Sequence, residues 1–115
     1  MNPLPNFEYA HILLEKFTQY ALNEDKEPDK AIAFRIALGY TQDSADRLIA
    51  NIRHNLPLYE AKVNGDNGFG MRYEVVMNIH GLNGKNANIV TAWIIKHGTT
   101  YPRLTSAYVT NKKLR

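Results

Sequence analysis

Met71-Arg72-Tyr73-Glu74-Val75-Val76-Met77-Asn78-Ile79 alternates with a period of two. Met71, Tyr73, Val75, Met77 and Ile79 fall on one side, Arg72, Glu74, Val76 and Asn78 on the other. Successive strand residues point to opposite faces, so this pattern predicts a strand with one buried face. The residues after it extend the same logic. Gly81-Leu82-Asn83-Gly84 supplies a tight turn, and Asn88–Lys96 is rich in the Ile, Val, Thr and Trp of a central strand. Gly98 to Pro102 turns the chain again before a last strand over Leu104–Thr110. Upstream, Tyr59–Val63 is a weaker first strand, followed by a loop containing Gly65, Gly68 and Gly70.

Before Tyr59 the period changes. Leu13, Phe17, Tyr20 and Ala21 fall on one helical stripe within Tyr9–Leu22. Asn23–Asp29 breaks it, and a short helix over Lys30–Leu38 follows, ended by Gly39 in the left-handed position that suits glycine. Thr41 or Asp43 caps a third helix, in which Ala45, Leu48, Ile49, Ile52 and Leu56 keep helical spacing until Pro57. The fold class expected is α+β, three N-terminal helices packed on a three- to four-stranded antiparallel sheet. It is one domain over 1–115, helical over about 8–56 and sheet over about 59–110.

Composition sets the limits of the chemistry. With 115 residues, 44% hydrophobic and 22% charged, the chain has an ordinary globular balance rather than that of a disordered tail. It holds no cysteine, so disulfides, thiolate metal sites and cysteine nucleophiles are excluded together. No apolar run is long enough for a membrane span, and Met1–Phe7 lacks the regions of a signal peptide. The expected setting is therefore soluble. The net charge of +3 is unevenly spread. Up to Asp29, Lys16 and Lys26 face Glu8, Glu15, Glu24, Asp25, Glu27 and Asp29; beyond it basic residues outnumber acidic ones. That asymmetry suits an anionic partner for the sheet-bearing half, or a solvated surface balanced across the fold.

Walker A, G-x-G-x-x-G, G-x-S-x-G and H-E-x-x-H motifs are absent. Gly65-x-x-Gly68-x-Gly70 lies between strands, as a hairpin loop does, and not before a phosphate-binding helix. His11, His54, His80 and His97 have no metal-ligand spacing, and no metal or cofactor is expected. The outward sheet face is more suggestive. Arg72, Glu74, Asn78 and His80 are directed there, and the last strands add Thr91, Trp93, His97, Arg103, Thr105 and Tyr108, with facings that await the register. Arg offers a fork for phosphate, hydroxyls offer short donors, and Trp93 or Tyr108 offers a stacking plane or belongs to the core.

Several motifs then occur in order: Asp29-Lys30-Ala31, Phe34-Arg35, Ala37-Leu38-Gly39-Tyr40, Gly70-Met71-Arg72-Tyr73, Gly81-Leu82-Asn83-Gly84, Thr91-Ala92-Trp93-Ile94-Ile95, and Pro102-Arg103-Leu104-Thr105-Ser106-Ala107-Tyr108-Val109. Together they resemble an uncharacterised bacterial domain family, from about Leu4 to Val109. Its layout is similar to the barnase–EndoU–colicin–RelE ribonucleases, many of them toxin domains, with N-terminal helices before a four-stranded sheet. Many toxin members end in Thr-Ala-Tyr-Pro; here Thr105-Ser106-Ala107-Tyr108 precedes Val109. Where many carry His or Lys-His on the helix, this chain has Lys30 between Asp29 and Ala31.

The resemblance implies a metal-independent ribonuclease toxin domain, the C-terminal effector of a contact-dependent or polymorphic toxin, cleaving RNA such as tRNA by 2′-hydroxyl attack. Lys30 and Arg103, with Arg72 next, would stabilise the phosphate; Thr105 would hydrogen-bond it. His97 or Tyr108 would carry protons, and Trp93 or Tyr108 would stack a base, with Arg72 and Trp93 binding RNA. Implied partners are RNA, a cognate immunity protein and a host translation factor; the setting is the cytoplasm of the producer or target cell. The competing expectation is a non-catalytic binding module such as an immunity or adaptor protein. A small-molecule enzyme has no cofactor motif behind it.

Overall fold

A computed structural model of the chain describes residues 1–114. The architecture is α+β, with one four-stranded antiparallel sheet and two α-helices. The helices are α1 (Pro28–Leu38) and α2 (Ala45–Asn55); the strands are β1 (Ala61–Asp66), β2 (Gly70–His80), β3 (Asn86–Lys96) and β4 (Arg103–Thr110). Strand order in the sheet is β1-β2-β3-β4, a meander.

β2 and β3 pair without a slip from Gly70↔Lys96 to His80↔Asn86. Directly opposed residues share a face, so Val75, Met77 and Ile79 stand beside Thr91, Ile89 and Ala87 against the helices. α1 adds Phe34 and Leu38, and α2 adds Leu48 and Ile52, to the same core. Trp93 also points inward, and its indole Nε1 donates to Thr91 Oγ1 at 2.8 Å. Thr91 in turn donates to the Val75 carbonyl at 2.9 Å, so the polar atoms of this pair are satisfied inside the core.

The hairpin is locked to α1 by backbone. Gly39 takes φ +76° at the end of the helix, and the Leu82 N–H donates to the Leu38 carbonyl at 2.8 Å. A Cβ on Gly81 would lie 2.6 Å from Leu38 Cα, so only glycine lets the turn sit on the helix end. Beside it Tyr40 is buried, and Asn51 Nδ2 donates both to the Tyr40 hydroxyl and to the His80 carbonyl, each at 3.0 Å.

The expected first helix is not regular. A 3₁₀ turn at Phe7–Tyr9 is followed by extended chain, and only a short helical turn with π character forms at Phe17–Ala21. Leu13 and Tyr20, both on the expected stripe, are 49% exposed. The cause is a competing use of the backbone. His11 N–H donates to Pro102 O at 2.8 Å and Leu104 N–H donates to His11 O at 3.0 Å, a one-residue parallel pairing against β4. The Asn2 carbonyl accepts the Ala61 N–H at 2.9 Å at the opposite edge. Residues 2–12 are thus a strap touching both edges of the sheet.

The outer sheet face is not fully open. Val76 and Val90 oppose each other there, yet both are buried. Asn88 Nδ2 donates to the Lys112 carbonyl, and Lys112 Nζ reaches Glu74 Oε1, each at 3.0 Å. In the β2–β3 register the Val76–Val90 pair lies between Asn88 and Glu74, so the Lys112 stem runs across it.

Gly81→Ala forces the turn off α1 and should destabilise the fold by about 3 kcal/mol. Thr91→Val keeps the shape but strands the Trp93 N–H, and should cost about 1–3 kcal/mol. Urea unfolding followed by the fluorescence of the single tryptophan reads both.

Candidate functional site

β4 pairs with β3 at Ala92↔Ser106 and then at Trp93↔Leu104, leaving Thr105 as an extra residue, a β-bulge. Three hollows meet at this residue. The largest, about 300 Å³, is lined by Asn64, Asn67, Arg72, Tyr73, Ala92, Trp93, Ile94 and Thr105. A second, about 210 Å³, has Lys16, Ile94, Lys96, Arg103 and Leu104 with Thr105. A third, also about 210 Å³, lies at the β4 edge, between Lys16, Tyr20, Glu27 and Lys30 on one side and Thr105, Ser106 and Ala107 on the other. Thr105 is common to all three, and Lys16 to the second and third.

The charge here is mostly uncompensated. Among the described residues, Lys16, Lys96 and Arg103 enter no ion pair. Arg72 is aimed by two backbone carbonyls, donating from Nη2 to Asn64 O at 3.0 Å and from Nε to Gly65 O at 3.3 Å. Lys30 is 3.7 Å from Glu27 and holds its ammonium 5.7 Å from the centre of the Tyr108 ring. Tyr108 opposes Val90 and so belongs to the outer row, which means that Lys30 reaches round the β4 edge from the helical layer. Convergent cations in partly enclosed hollows focus potential on an anion.

The residues picked from the sequence are sorted by this geometry. Arg72, Arg103, Thr105 and Lys30 come together around the bulge, with Tyr108 beneath Lys30. The Thr105 hydroxyl donates to the Ala92 carbonyl at 3.1 Å, so a ligand would compete for that proton. Trp93 is 1% exposed, and the expectation that it stacks a base fails: its ring is core, as is Thr91, because the unbroken β2–β3 register turns both inward. His97 stands apart from the three hollows. Its Nε2–H donates to Asp66 Oδ2 at 2.6 Å and its backbone N–H to Phe69 O.

Lys16 and Lys96 were not singled out by sequence. For Lys96 the signal existed, since it shares the outward parity of Ile94. For Lys16 none did, because the stretch expected as a regular helix bends to reach β4. Glu74 carries an outer-face carboxylate in the same row as Arg72, 7% exposed and bonded by Lys112. No group of three or more His, Asp or Glu side chains among the described residues is placed to hold a metal ion, and no helix there is long and apolar enough to cross a membrane.

Fold and site together define a small α+β domain with cationic hollows wrapped around a bulged sheet edge. The chain belongs to a family of domains of unknown function, DUF6883, whose model matches residues 3–111. No curated protein and no solved structure matches it.

The Asp66 carboxyl is held below its ordinary value of 3.8, first by the His97 hydrogen bond and then by the Gly68 N–H. A carboxyl depressed on folding stabilises the folded state above the unfolded value, and that contribution is lost as pH falls through the folded one. Wild type should therefore melt above Asp66→Asn at neutral pH, with the gap closing as pH drops below 3.8. Melting curves across that range check the sign.

Proposed function

We propose that the domain acts on RNA as a ribonuclease, with the phosphate held at the Thr105 bulge. The observation that carries this reading is the convergence of Lys16, Arg72, Lys96 and Arg103 on hollows that share Thr105. Cleavage needs no cofactor in this scheme. The ribose 2′-oxygen bonds to the adjacent phosphorus, the 2′ proton goes to a base, and the P–O5′ bond breaks as the leaving oxygen takes a proton. A 2′,3′-cyclic phosphate and a 5′-hydroxyl result. Arg72 and Arg103 stabilise the crowded, doubly charged phosphorane, and Thr105 exchanges its bond to Ala92 for one to the phosphate. The proton carriers in this scheme are Tyr108, beside Lys30, and Glu74, whose carboxylate Lys112 would have to release. His97, bonded to Asp66, drops out of the scheme. The toxin setting, a cognate immunity protein and a host translation factor belong to this proposal as well.

One observation favours a second reading, a binding module of the immunity or adaptor kind: no histidine lines any of the three hollows. The two readings separate in one experiment. Purified protein is incubated with total RNA in chelator, alongside Arg103→Ala and Thr105→Ala, and the same proteins are expressed in a bacterium without any partner. A ribonuclease shortens the RNA, arrests growth, and loses roughly a hundredfold in rate on loss of Arg103. Intact RNA at high protein concentration together with normal growth overturns the nuclease reading in favour of the binding module.

A further inference from the structure

We infer that the β4-edge hollow is a second phosphate subsite, so that the ligand is a single strand bent around the edge rather than a duplex. The inference rests on the RNA reading above and deepens it. The edge hollow lies on a different side of the sheet from the largest one, and the second hollow spans the two. Lys16, Tyr20, Ala21, Glu27 and Lys30 come from the helical layer, whereas Arg72, Ala92 and Ile94 belong to the outer row of the sheet. The two sides meet at β4, where Thr105 walls all three of these hollows and Lys16 joins two of them.

The edge hollow has what a phosphate oxygen needs. Lys16 and Lys30 supply charge, and Thr105 and Ser106 of the bulge complete the wall. Tyr20, half exposed, carries Lys16 at 6.0 Å and Lys26 at 5.9 Å from its ring centre, which concentrates further positive charge at the mouth. The one carboxylate in its lining, Glu27, stands 3.7 Å from Lys30 and would compete with an incoming anion for that ammonium.

A chain that fills both sides must turn around a single strand edge. A stiff double helix cannot follow that turn, whereas a single-stranded backbone rotates freely enough to place successive phosphates on either side of the bulge. The bulge is what makes the turn passable. Thr105 has no opposite residue in β3, so β4 bends there and brings the two sides into one continuous surface.

The test uses a fluorescent octamer of 2′-O-methyluridine, which cannot be cleaved by 2′-hydroxyl attack, and a blunt duplex of the same length. Affinity is read by anisotropy over a range of salt. Expected is binding of the octamer in preference to the duplex, about tenfold weaker with Lys30→Gln and with a salt slope shallower by about one. Glu27→Gln, which frees the Lys30 ammonium, should bind more tightly, a gain that a merely structural role for this pair would not produce. Arg103→Gln reports on the outer hollow. If Arg103→Gln weakens binding while Lys30→Gln and Glu27→Gln leave it unchanged, the edge subsite is overturned and the RNA reading stands. Equal binding of octamer and duplex overturns the bent single-strand path. An octamer that binds neither wild type nor any variant overturns both.

Discussion

The unbroken eleven-pair register between β2 and β3 is the constraint on which the rest depends. A slip of β2 by one residue against β3 would send Val75, Met77 and Ile79 into solvent and bring Arg72 and Glu74 into the core. Two things prevent it. The inner face is filled to burial by the helices, and the turn at Gly81–Leu82 is hydrogen-bonded to the last turn of α1, so helix and hairpin fix each other's positions. The outer row is held in the same frame by side chains: Asn78 donates to Asn88, Asn86 donates to Asn78, and His80 Nδ1 meets Asn86, all within 2.9 Å. The register is therefore specified on both faces at once.

The candidate site is the place where that regularity is broken. β2 and β3 run straight, and the sheet yields only at its margins, between Val63 and Gly65 in β1 and at Thr105 in β4. Both irregularities border the cationic hollows. The first places the carbonyls of Asn64 and Gly65 where they hold Arg72, and the second opens the wall that all three hollows share. A rigid centre with adaptable margins suits a surface that must position charge accurately and still admit a flexible ligand.

Much of this was legible in the residues. Alternation in Met71–Ile79 identifies the strand and its buried side, and the glycines at 39 and 81 mark the helix end and the turn. The Lys30–Leu38 and Ala45–Leu56 spacings find both α-helices to within a few residues. Arg72, Arg103 and Thr105 stand out on the strands as a charged and hydroxylated set, and Lys30 enters only through the family resemblance. Three features escaped. The periodicity around Leu13 and Phe17 describes a helix that the chain abandons, because pairing His11 with β4 satisfies backbone groups that a longer helix would have kept for itself. Trp93 has the composition of either face, and only the register, a non-local property, assigns it to the core. The bulge at Thr105 is invisible for the same reason: it is a mismatch between two strands, and neither strand carries a sign of it alone.

The strap has a consequence for how the molecule is assembled in time. A meander in the order β1-β2-β3-β4 is built from contacts between neighbours in sequence, and such contacts form quickly. The pairing of His11 with Pro102 and Leu104 is of the opposite kind, joining the first residues to the last strand. Its loop-closure entropy is offset only once the sheet exists as a template. During synthesis the Asn2 end of the strap can meet β1 early, but His11 has no partner until β4 has followed. The pairing that closes the domain thus joins one of its earliest segments to its last strand, and it follows the sheet instead of leading it.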